Sequence, residues 1–85
     1  MGTLDPAATD RIIAQGRALV RAIEGLGEID PSGPLERTMA GLLLRLYKRR
    51  LRAVVEVAPA WAVEEILSAS ARVGADRAAL WLSEN

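Results

Sequence analysis

Residues 34–57, PLERTMAGLLLRLYKRRLRAVVEV, decide how this chain folds. Pro34 opens the stretch and Pro59 lies two residues beyond its end; nothing between them alternates as a strand does. Placed on a helix at about 100° per residue, Arg45, Lys48, Arg49, Arg52 and Glu56 fall within an arc of about 100°, with Arg37 nearby. The arc reads as a solvated stripe. Leu35, Met39, Leu42, Leu43, Leu46, Tyr47, Leu51, Val54 and Val57 fill a much wider apolar arc, roughly 200° on the same wheel. A helix with that much apolar surface is expected either at the centre of a bundle or at a subunit interface. Arg50 breaks the pattern, because it points into the middle of the apolar arc. Burying a guanidinium alone is very costly, so Arg50 is expected to snorkel or to pair. Glu24, Glu64 and Glu65 are its candidate partners.

Working outward, the flanking segments are helical too. Asp5 and Pro6 in LDP suit an N-cap and a first helical position. The first helix is expected over 6–26, closed by Gly25 or Gly27. Ile12, Gly16, Leu19, Val20, Ile23 and Leu26 gather on its apolar side, opposite Asp10, Arg17, Arg21 and Glu24. Gly16 on that side is expected to let another helix come close. GEIDPSGP forms a turn-rich connector to the helix at 34–57. Pro59 should break or kink that helix. A third helix is expected over 60–73, stopping at Gly74 and burying Val63, Ile66, Leu67, Ser70 and Val73. Asp76 should cap a short fourth helix over 76–83, with Trp81 in the core. Trp61 falls on the polar side of the third helix with Glu64, Glu65 and Arg72. There it covers the Pro59 kink, or packs on the fourth helix, or stands exposed as an aromatic anchor for a partner.

The composition agrees with a helical fold. The chain has 85 residues, 51% of them apolar, and is rich in alanine and leucine with no phenylalanine. Such a vocabulary favours helices over strands and argues against disorder. The expectation is one all-α domain, a small bundle of three long helices plus a short C-terminal helix. A core of short side chains makes so small a chain marginal alone, so a homo-oligomer is expected. Eleven Lys and Arg balance eleven Asp and Glu, which leaves no global field to attract nucleic acid or an anionic membrane. Without cysteine or histidine there are no disulfides, no thiol nucleophile, no Cys/His zinc site and no histidine base. No catalytic residue, metal or cofactor is expected. MGTLDPAATDR lacks the basic and apolar regions of a signal peptide, and the longest uncharged runs fall far short of the roughly 20 residues a membrane span needs. A cytoplasmic location is the expectation.

Three local resemblances are present, each confined to part of the chain. GRALVRAIEGLGEIDPSGPLER resembles the Arg-rich helical chorismate mutases, with Arg17, Arg21 and Arg37 at matching positions. That family's active-site lysine and terminal glutamine have no counterpart here. VRAIEGLGEIDP resembles the inhibitory helix of antitoxins that pair with Fic-type AMP-transferring toxins, with Glu24 and Gly25 matching, but Val20 stands where the family has Ser or Thr. VEEILSASARVGADRAALWLSEN resembles the last two helices of a ubiquitin-associated domain, without its Met-Gly-Phe loop.

The expected function is a small soluble interaction or regulatory module that self-associates or docks on a protein partner. Arg50, Trp61 and Tyr47 are its candidate contact residues. The alternative is a nucleic-acid-binding helix using Arg45, Lys48, Arg49 and Arg52, and a small enzyme with an Arg-rich, mutase-like site is more distant.

Overall fold

The described residues form four helices: α1 (Pro6–Glu28), α2 (Pro34–Val57), α3 (Ala60–Leu67) and α4 (Gly74–Leu80). The computed structural model describes residues 6–28, 32–71 and 73–83, and among these there is no strand. The expected cap at Asp5 lies outside the described residues.

Local chemistry sets the boundaries. α2 starts with Pro34 in its first turn, where the missing N–H costs nothing. Glu36 reaches back and accepts hydrogen bonds from the Ser32 hydroxyl (2.7 Å) and the Ser32 N–H (3.1 Å). At the other end Ala58 is extended, as the residue before a proline prefers to be. Pro59 breaks the helix rather than kinking it. Its carbonyl then accepts from the N–H groups of Ala62 and Val63 and so starts α3.

α3 is shorter than the expected 60–73; it stops at Leu67 after eight residues. The sequence stretch Ser68–Ser70 explains why. Ser68 turns its hydroxyl onto the Glu65 carbonyl at 2.7 Å, a local bond that competes with helix continuation. Glu24 of α1 completes the stop. Its carboxylate accepts from the Ser70 hydroxyl (2.7 Å) and from the N–H groups of Ala71 (3.2 Å) and Val73 (3.3 Å). Those N–H groups are thereby lost to a longer helix. Gly74 follows with φ +80, a left-handed conformation that a side chain would strain. Asp76 then sits inside the first turn of α4, not at its cap, and the helix ends at Leu80 with tighter turns running on to Ser83.

α1 is the hub. It packs on both α2 and α3, and α3 packs on α4. The core joins Leu19, Val20 and Ile23 of α1 to Leu51 of α2 and to Ile66 and Ala69. Tyr47, Leu44, Val54, Trp81 and Leu82 are half-buried against it. Gly16 fits its expected role, since a methyl group there would come within 2.7–2.8 Å of the Ile66 side chain. Val73, expected inside, is exposed, because the chain has left the helical path before reaching it.

Of the two places expected for α2, the centre of a bundle or a subunit interface, the centre is taken by α1 instead. The molecule measures 49 × 21 × 21 Å. A helix with its side chains is about 10–12 Å across, so the body is about two helices thick and each helix has open flanks. On α2 only Leu51 is fully buried among the described residues.

Candidate functional site

The apolar arc of α2 is divided in two. One part, Leu44, Tyr47, Leu51, Val54 and Val55, faces α1 and the core. The other part is uncovered: Leu35 (72% exposed), Val57 (62%), Leu42 (58%), Met39 (56%), Leu46 (46%) and Leu43 (39%). By helical phase these six lie on one side: 35, 39, 42 and 46 follow at steps of four, three and four, 57 falls eleven residues or about three turns past 46, and 43 flanks them.

Arg50 stands within this uncovered part and is exposed. Of the two expectations, snorkelling or pairing, burial with a paired carboxylate is not what the structure shows. Its position on the wheel holds, but nothing among the described residues buries it, so no ion pair is required of it. Glu24, named as a candidate partner, is occupied with Ser70, Ala71 and Val73. Glu64 and Glu65 are exposed on α3. Tyr47, the second candidate contact residue, is half-buried against the core. The third, Trp61, is 58% exposed.

The basic stripe divides as well. Arg45 and Arg49 are exposed, as expected of a wet face. Lys48 and Arg52 are half-buried, and Lys48 lines a cavity with Ile23, Leu44 and Trp81. The four cations thus differ in exposure, two exposed and two half-buried.

A cavity of about 360 Å³ opens between α1, α2 and the C-terminal segment. Ile23, Leu44 and Trp81 line it, together with Glu24, Glu28 and Lys48. Its volume is at the lower end of ligand pockets, roughly 300–1,000 Å³. Its best-placed carboxylate, Glu24, is already committed to holding the α3–α4 connection. Arg17, Arg21 and Arg37, the positions matching the mutases, are not among its lining residues. Arg17 instead donates to the Glu65 carbonyl at 3.2 Å, near the end of α3. Among the described residues no group of three His, Cys, Asp or Glu side chains could hold a metal ion, and no helix is long and apolar enough to cross a membrane.

The residue that sequence reasoning undervalued is Glu24. On the helical wheel it belongs to the polar face of α1, and its partners lie 46 to 49 positions away. No local pattern announces such a contact.

No family model, curated protein or solved structure matches this chain.

Proposed function

We propose that this chain is a small helical interaction module that works by covering the open face of α2 with another protein surface, its own or a partner's. The observation that supports the reading is the stripe of large apolar side chains left uncovered along a helix whose other side completes the core. Contiguous exposed apolar surface of this kind marks sites of protein association. Trp61, exposed on α3, and Arg50, set among the leucines, are residue types enriched where binding energy concentrates. Nucleic acid is the less supported partner, because Lys48 and Arg52 are half-buried and only Arg45 and Arg49 of the proposed set stand clear.

The test is cross-linking in the cells that make the protein, at native expression, comparing the parent with a Leu42→Gln/Leu46→Gln variant. The parent should be captured in assemblies larger than the 9.1 kDa chain, and the variant should not. If both are recovered as single chains, the reading fails.

A further inference from the structure

The uncovered stripe has an internal order. Leu35, Met39, Leu42, Leu46, Arg50, Ala53 and Val57 are all exposed, and they follow one another at steps of four, three, four, four, three and four residues. The series is the same read from either end, with Leu46 at its middle. It consists of two eleven-residue halves. An eleven-residue repeat averages about 3.67 residues per turn, close to the 3.6 of an α-helix, so the stripe runs nearly straight along α2.

We infer that the surface that covers this face is a second copy of the chain, with the two α2 helices antiparallel and a two-fold axis passing beside Leu46. The inference deepens the docking reading above and rests on it. A two-fold interface uses the same patch from both molecules, so the patch must complement itself. This stripe does. Across the axis Leu46 meets its own copy, Leu35 meets Val57, and Met39, which is long, meets Ala53, which is short. Leu42 meets Arg50, whose stem lies along the leucine while the guanidinium reaches water at the flank. The two guanidinium-bearing positions are separated by about 12 Å along the helices, at 1.5 Å per residue, so they need not confront each other.

Area supports the same occupant. The exposed parts of the six large apolar residues come to on the order of 600 Å², the upper end for the largest patch on a monomer. Two such faces pressed together remove at most roughly 1,200 Å², where specific interfaces begin.

The arrangement also sets a sign for the salt dependence. In an antiparallel pair each flank of α2 meets the same flank of the other copy. Arg45 and Arg49, both exposed and on one flank, are therefore gathered with their copies along one rim. Added salt screens that repulsion and strengthens the dimer. Binding to an anionic surface would weaken instead.

The chain has no cysteine, so single cysteines report the geometry cleanly. Leu46→Cys should form a disulfide-linked pair on mild oxidation. Met39→Cys alone and Ala53→Cys alone should remain largely uncross-linked, while their mixture gives the joined heterodimer. Light scattering of the purified parent should show a mass rising toward twice 9.1 kDa with concentration and with salt. Leu46→Glu should stay at the single-chain mass with its helical content intact. Met39→Cys pairing with itself as readily as with Ala53→Cys would mean parallel helices and overturn the proposal. So would a parent that stays monomeric at every concentration and salt, or one that remains single while binding phosphatidylglycerol vesicles. A pure parent that is monomeric, yet cross-links to another protein in cells, overturns the second copy and leaves the docking reading standing.

Discussion

Ile66 leaves Gly16 no room for a methyl group. Its Cγ1, Cγ2 and Cδ1 atoms all lie within 2.8 Å of where a Cβ would sit, and Ile66 is itself fully buried. Alanine would gain about 1 kcal/mol of helix propensity over glycine, but overpacking a core typically costs about 1–3 kcal/mol. Gly16→Ala should therefore fail to stabilise and should lower the urea midpoint. A raised midpoint would show that α1 and α3 separate easily. Glu24 is the second sensitive position. One carboxylate accepts from Ser70, Ala71 and Val73, and a glutamine offers a single acceptor oxygen for them. Glu24→Gln should cost roughly 1–3 kcal/mol, as leaving polar groups unsatisfied does. Hydrogen exchange should show the loss first at Ala71 and Val73. Arg50 is the contrasting case. Under conditions where the chain is monomeric, Arg50→Leu and Arg50→Ala should both stay within about 0.5 kcal/mol of the parent, as exposed positions usually do.

At the scale of the element, the start of α2 is sensitive to pH. The Ser32 hydroxyl and backbone N–H, with a further backbone contribution from Gly33, hold the Glu36 carboxyl below the ordinary glutamate range. Its folded-state pKa is depressed, so the stability it lends is present above the unfolded pKa and is lost as pH falls through the folded value. Glu36→Gln should remove that contribution. The parent's advantage in melting temperature should be seen near neutral pH and vanish once the carboxyl is protonated in both states. A difference that persists unchanged into acid would contradict the assignment. The same helix separates its cations. Arg45→Gln/Arg49→Gln should leave the monomer's stability nearly unchanged, whereas Lys48→Gln/Arg52→Gln should lower it, because half-buried side chains are shortened.

For the whole molecule, association and stability are linked. Anything that binds only the folded state raises apparent stability by mass action. If two α2 faces meet, the parent's thermal midpoint should climb with protein concentration, and that of Leu46→Glu should not. Parallel curves for the two proteins would separate the exposed stripe from any role in assembly.

The sequence by itself determined the helical fold, the position and length of α2 and the close approach at Gly16. These follow from short-range rules: periodicity near 3.6, a proline at each end of one helix, a glycine on an apolar face. It misjudged what depends on distant residues. The apolar arc of α2 was legible, but a wheel counts apolar residues without showing how many neighbours exist to cover them. With α1 as the hub and a body about two helices thick, only half of that arc is used, and Arg50 falls in the unused half. Where α3 ends was likewise decided in part from outside its own sequence, since the local Ser68 bond is joined by a carboxylate on α1. Residues 68–73 carry enough alanine and apolar character to continue the helix, but the Glu24 carboxylate draws off the Ala71 and Val73 N–H groups that a helix would need. Local pattern sets which faces are apolar; only tertiary structure decides which of them are covered, because covering one requires a partner that the pattern does not specify.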